Sequence, residues 1–164
     1  MMMLADILNS LYLFSDKVMF LNPPAREHAI NFFQEKYSLQ LPDEYVEFIK
    51  YHNGFALMGD SLYGVGQEHG QKSMDRLYHV QHQEVLNPMF PNLVPFSPDG
   101  YGNHYCFDLN TLEDGSCKIV FWQHDVDYTH EAPEVTNDSF YSWIQEVIID
   151  WTFENYGFDG RKRG

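Results

Sequence analysis

His104 and Cys106 stand two residues apart in "SPDGYGNHYCFDL", which runs from Ser97 to Leu109. A cysteine acts as a nucleophile when a base lies within hydrogen-bond reach and its pKa is lowered. On one strand, residues two apart point to the same face, so the pair could touch. The same geometry sends Tyr105 and Phe107 to the other face, the pattern of a strand buried on both sides. Neither an oxyanion element nor a residue to orient the imidazole accompanies the pair. The stretch therefore reads as a turn that launches a strand. Pro98–Asp99–Gly100 supplies the turn, and Gly102 a second unusual backbone step. Asp108 should end the strand with a side-chain-to-backbone hydrogen bond. No catalytic residue is assigned.

Metal chemistry is the next candidate, because the chain has eight histidines. "HDVDYTH" holds His124, Asp125, Asp127 and His130, and "HVQH" holds His79 and His82. These are ligand types that bind zinc and similar ions. Neither motif has a metal-site spacing, and two histidines on one helical face make a weak site. A small metal-dependent enzyme built on His124, Asp127 and His130 is the least favoured reading, and no metal or cofactor is expected. The adjacent acids in "PDE", "LED" and "HDVD" read as solvated loops rather than an acid–base pair. "GVGQEHG", with Gly64, Gly66 and Gly70, lacks the spacing of a dinucleotide loop and the helix that should follow it. Cys106 and Cys117 read as two buried free thiols, although a hairpin turn at Asp114–Gly115 would set their strands side by side.

With 164 residues the chain suits one domain with a real hydrophobic core. A 44% hydrophobic and 16% aromatic composition excludes a disordered polypeptide. No apolar run reaches the roughly 18 residues of a membrane helix, and "MMMLADILNS" has no basic segment of the secretory kind. With only two cysteines, a cytoplasmic protein is expected. The net charge is −14, and three of the ten basic residues are Arg161, Lys162 and Arg163 at the very end. Such a surface repels nucleic acid and anionic lipid. It attracts basic proteins and speeds their encounter. Acidity also serves solubility alone.

The elements that must position these residues can be read from periodicity. "LADILNSLYLF" places Leu4, Ile7, Leu8, Leu11 and Tyr12 at helical spacing. A second helix spans about 24–37, with Asn22 as its cap and Ala29, Ile30 and Phe33 on one face. Pro42 opens a third, carrying Tyr45, Phe48, Ile49 and His52, with Asn53–Gly54 as a left-handed cap. "FALMGDSLYGVG" suits short strands. "SMDRLYHVQHQEVLN" is either a surface helix or irregular. "NLVPFS", "HYCFDL" and "KIVFWQH" read as strands, with "TLEDGSC" a hairpin turn. "DVDYTHEAPEVTN" reads as an acidic loop. The last helix starts after Asn137 or Asp138 and buries Phe140, Trp143, Ile144, Val147, Ile148 and Trp151. The expected fold class is α+β: one domain with a mostly antiparallel sheet, helices packed against it, N-terminal helices and a C-terminal closing helix. It spans 1–164, with its core at about 24–152 and a frayed tail at 154–164.

Five pieces in order carry a family resemblance: "LPDEYVEFIKYHNG", "GDSLYGVG", "LVPFSPDGYGNHYCFDL", "KIVFWQHD" and "SFYSWIQEVI". This series resembles the SUKH superfamily, the cell-wall-assembly-regulator-like proteins that include bacterial toxin-immunity proteins. The resemblance covers about Leu39 to Ile149. Asn103 departs from it, standing where the family often has Asp, and the N-terminal helices match nothing in it.

The resemblance implies a single α+β domain without enzymatic activity. It further implies a bacterial, intracellular antidote that binds a cognate toxin, frequently a nuclease. The acidic body suits a basic partner of that kind. The alternative within the family is a regulatory or scaffolding protein with a non-toxin partner. Exposure and charge single out Asp125, Asp127, Tyr128, Glu131 and Glu134 of the acidic loop as partner-binding residues, with Glu113 and Asp114 of the hairpin turn beside them.

Overall fold

The computed structural model describes residues 2–164, without the side chains of residues 67–69. Three short helices lie in the first third of the chain, with one strand between the first two. α1 (Leu4–Leu11) buries Ile7, Leu8 and Leu11, as its periodicity predicts. α2 (Glu27–Tyr37) buries Ala29, Ile30 and Phe33, and α3 (Asp43–Ile49) buries Tyr45, Phe48 and Ile49.

Two expected caps are corrected. α2 begins after Arg26, not at Asn22. Asn22 instead donates from Nδ2 to the Asn53 carbonyl at 2.9 Å. α3 ends at Ile49, before Asn53–Gly54. The Asn53 amide is taken by a more distant pairing, donating to the Val65 carbonyl at 2.8 Å and accepting from the Val65 N–H at 2.9 Å. That bridge fastens the start of the hairpin at 54–63 to its end.

The first sheet has the order β1-β2-β3, all antiparallel, with β1 at Met19–Leu21, β2 at Gly54–Leu57 and β3 at Asp60–Tyr63. α4 (Met74–His79) follows, capped by Ser73 and continued by a wide π turn at Val80–Glu84. The ambiguous "SMDRLYHVQHQEVLN" is thus helical at its front. The second sheet has the order β4-β5-β6-β7, again antiparallel, with β4 at Leu93–Pro98, β5 at His104–Asp108, β6 at Ile119–Trp122 and β7 at Glu134–Asn137. β7 is a correction: the end of the presumed acidic loop pairs with β6 as an edge strand. Ser97 ties the two sheets together, its hydroxyl donating to the Ser61 carbonyl at 2.6 Å.

The closing helix comprises α5 (Phe140–Trp143), a π stretch at Ile144–Asp150 and α6 (Trp151–Asn155). Its cap is Ser139, which accepts from the Ser142 N–H at 3.2 Å. Asn137 is spent on pairing with Ile119, so the helix starts later than the sequence suggests. Glu44 adds a carboxylate at this end, accepting from the Phe140 N–H at 3.3 Å, where the helix dipole favours negative charge.

The core lies between the helices and the inner faces of the sheets. Phe140 is its hub, edge-on to Tyr45, Phe48, Phe96 and Phe107 at ring separations of 5.5–5.9 Å. Edge-to-face pairs of this kind add to the burial of apolar area itself. A smaller cluster of Met89, Leu93, Cys106, Val120 and Trp122, with Tyr128 against it, closes the outer face of the second sheet.

Residues 154–164 fold back on the body. Phe158 meets Phe14 edge-on at 5.0 Å, the Ser15 N–H donates to the Phe158 carbonyl, and the Arg163 N–H donates to the Asn155 carbonyl. Phe158 packs on Phe153 as well, at 4.3 Å, and gives this segment apolar area to bury, which offsets the entropy of ordering it.

Candidate partner-binding surface

The opening loop of β5 is built on Asp99. Its Oδ1 accepts from the N–H groups of Tyr101 and Asn103, and its Oδ2 accepts from Asn103 Nδ2. These bonds hold the Asp99 carboxyl below the usual range despite an opposing push from burial. Asn103 Oδ1 in turn accepts from the His124 N–H at 3.1 Å and from its Nδ1 at 2.9 Å. Gly102, at φ +90°, lies against that imidazole, and a Cβ there would sit 2.9 Å from Nδ1. An amide is therefore needed at position 103, because it gives to Asp99 and takes from His124. An aspartate could not do both while ionised.

His104 and Cys106 do share a face, but burial pushes both away from their charged forms. The His104 imidazole is lowered to about 4, and the Cys106 thiol is raised well above its ordinary value. Cys106 Sγ reaches the His104 carbonyl and Met89 Sδ, not the imidazole. This arrangement offers no thiolate at neutral pH, and its buried imidazole is only a weak base. Cys117 belongs to the main core, on the other side of the sheet from Cys106, and its thiol is pushed up to about 12. Both cysteines are free.

The histidine motifs disperse. His79 pairs with Glu84 at 3.0 Å, while His82 stacks on Tyr78 and bonds its carbonyl. Asp127 accepts from the Thr129 N–H and hydroxyl, which lowers its pKa. Among the described residues, no three His, Cys, Asp or Glu side chains converge to hold a metal ion.

The partner-binding candidates fall into two groups. Glu113 and Asp114 sit at the tip of the β5–β6 hairpin, where Glu113 and Ser116 exchange both backbone hydrogen bonds around Asp114–Gly115. Asp114 at φ 52° and Gly115 at φ 80° make the left-handed pair a two-residue hairpin requires. Asp125, Asp127, Tyr128 and Glu131 follow β6 at the other end of that hairpin, and Glu134 begins β7. The acids are exposed. Tyr128 is committed inward: its hydroxyl accepts from the Gln123 N–H at 2.9 Å and its ring lies 4.5 Å from Trp122.

A second acidic region was not foreseen. The π stretch widens the closing helix, so the buried stripe slips by one residue. Thr152 becomes buried, and Trp151, expected inside, is 47% exposed. Trp151 lines a cleft of about 190 Å³ with Met58, Asp60 and Val147. Beside it Tyr105 packs on Phe121 at 4.9 Å and on Trp143 at 5.5 Å. Burial, then the charges of Asp60, Asp99, Glu134 and Glu146, push the Tyr105 hydroxyl up to about 12. Only "LMGD" hinted at this in the sequence, since Met occupies the turn position usually given to Asn or Gly.

The chain is similar in fold to a solved protein from Pseudomonas syringae pv. tomato. The TM-score is 0.65 and the identity 13%, over 90% of this chain and 99% of that one. At such identity the likeness speaks for the fold alone. The profile of the SMI1/KNR4 family (SUKH-1) matches residues 24–146. With three quarters of its length matched and the motifs of that series found on the β4–β6 strands and the closing helix, the chain belongs to the SMI1/KNR4 (SUKH-1) family.

Proposed function

We propose that this protein is a non-enzymatic binding module that neutralises a basic toxin protein, of the nuclease kind, by forming a stoichiometric complex with it. The observation that carries this reading is a net charge of −14 on a SUKH-1 fold. An acidic surface of this size draws in a basic partner and competes for the groups that would grip phosphate. The buried, neutral His104–Cys106 pair supports binding rather than covalent chemistry.

In this reading Asp125, Asp127, Glu131 and Glu134 form the charged rim of the contact, with Tyr128 holding the loop in shape. Glu113 and Asp114, at the far end of the hairpin, contribute to the field that steers encounter. A regulatory or scaffolding role with a non-toxin partner is separated from this one by the neighbouring gene.

The test is co-expression with the toxin domain encoded beside the gene. Growth should be rescued, and a stoichiometric complex should elute from gel filtration. Neither rescue nor complex would refute the reading.

A further inference from the structure

The β2–β3 turn and the second half of the closing helix bound an apolar groove with an acidic margin. Met58 and Trp151 both line it, and both keep a large part of their surface in water, 37% and 47%. Asp60 lines the same cleft, and a cross-strand row leads on from its neighbour Ser61, whose carbonyl takes the Ser97 hydroxyl. The row runs through Ser97 and Tyr105 to Phe121 and Glu134, which stand opposite one another in register. Glu134 ends that row on β7, and Glu146 of the closing helix accepts from Asn137 Nδ2 of the same strand at 3.1 Å. Among the described residues, none of Asp60, Glu134, Glu146 or Asp150 forms an ion pair. Tyr105 makes no hydrogen bond through its hydroxyl among them either.

Two local choices run against the fold's own interest. Met58 adopts φ 47°, a left-handed conformation that asparagine or glycine occupies with less strain. The π stretch at Ile144–Asp150 turns a tryptophan out of the core and puts a threonine in its place. Such stretches recur at functional positions, and local conflicts of this kind mark places where something beyond folding is served. Both conflicts place a large, adaptable apolar side chain on the same groove. A tryptophan and a methionine at the centre, with carboxylates that form no ion pair around them, have the make-up of a protein-binding centre.

We propose that the groove bounded by Met58, Asp60, Tyr105, Glu134, Glu146 and Trp151 is the docking site for a lysine- or arginine-rich segment of a partner protein, whose aliphatic stems lie on Met58 and Trp151. The long stems of such residues cover apolar surface while their charged ends reach the carboxylates. A lysine or arginine also gains from the face of an indole. The inference deepens the binding role proposed above and rests on it for the identity of the partner, but not for the chemistry of the groove.

The experiment is a titration of the full-length, ¹⁵N-labelled protein with the amidated peptide acetyl-Lys-Lys-Leu-Lys-Lys, followed by amide chemical shifts. Saturable shifts should concentrate at residues 57–61, 105, 134 and 146–152. The D60N/E146Q variant should weaken binding at least about tenfold, the scale for losing charge partners at a partly desolvated contact. Trp151→Ala should do so as well, while E27Q/E35Q, which removes two exposed charges from α2, should bind like wild type. The proposal is overturned by shifts centred on residues 124–131, by wild-type affinity in D60N/E146Q, or by no saturable binding. A dimer on gel filtration that Trp151→Ala abolishes would assign the groove to a second copy and equally overturn it. The outcomes are distinct from those for function. A groove that binds the peptide in a protein that rescues no toxin sinks the antidote reading alone. A rescuing complex indifferent to Trp151→Ala and D60N/E146Q sinks the groove alone.

Discussion

The closing helix has two halves that obey different rules. Before the π stretch, Phe140 and Trp143 are fully buried and meet the rings of Phe96, Phe107 and Tyr105. After it, Trp151 stands half in water beside Met58 while Thr152 takes the inner position. One tryptophan is where hydrophobic burial would put it, and the other is not. The wider turn between them lets one helix serve the core at its start and the surface at its end. A straight α-helix with the same sequence would have drawn both tryptophans inward.

Removing the hub of the first half should do the most damage. Phe140→Ala should lower unfolding stability by about 3–5 kcal/mol, the usual cost of truncating a fully buried phenylalanine. Urea denaturation measures it, and a loss under about 1 kcal/mol would dissolve the contrast between the halves.

Acid should attack the sheet that the first half packs on. Burial lowers His104 to about 4 in the folded protein, from an ordinary 6.5. Between those values the unfolded chain binds the proton and the folded one does not. Stability therefore falls as pH drops from about 6.5 and stops falling from this source near 4, by at most about 3 kcal/mol. His104→Gln should flatten that part of the urea-midpoint profile. An unchanged slope would remove His104 as its source.

Trp151→Ala belongs at the small end, at less than about 1 kcal/mol of stability, because much of the side chain is already hydrated. A loss comparable to that of Phe140→Ala would place Trp151 in the core after all. Acrylamide quenching gives the finest reading. Trp122 and Trp143 are 1% and 0% exposed, so Trp151→Phe should abolish most of the readily quenched emission. Quenching that survives the substitution would show that one of the other two indoles is open to solvent.

Much of the fold is legible in the sequence because period and turn chemistry are local. The helix around Ile7, the "SPDGYGNHYCFDL" turn and strand, and the Asp114–Gly115 hairpin all follow from residues within a few positions. Asp108 also ends its strand as expected, accepting from the Asn110 N–H at 3.1 Å. What escaped depends on distant partners. Asn53 serves Val65 rather than a helix end. β7 exists because Ile119 and Val120 offer it an edge. The exposed Trp151 depends on a backbone widening that no residue type announces. The acidic loop was visible as composition, but the groove with Asp60, Tyr105 and Glu146 gathers three separate segments, and spacing does not report such gatherings.

The clasp between Phe14 and Phe158 bears on how the chain folds in time. Both sheets lie between these two rings in the chain, so forming their contact closes a long loop. Closure entropy grows with loop length, so contacts of this span come late and slow the overall rate. On the ribosome the segment that carries Phe158 emerges after the strands of both sheets. Fastening this seam is thus a late step, which draws together what lies between its two sides.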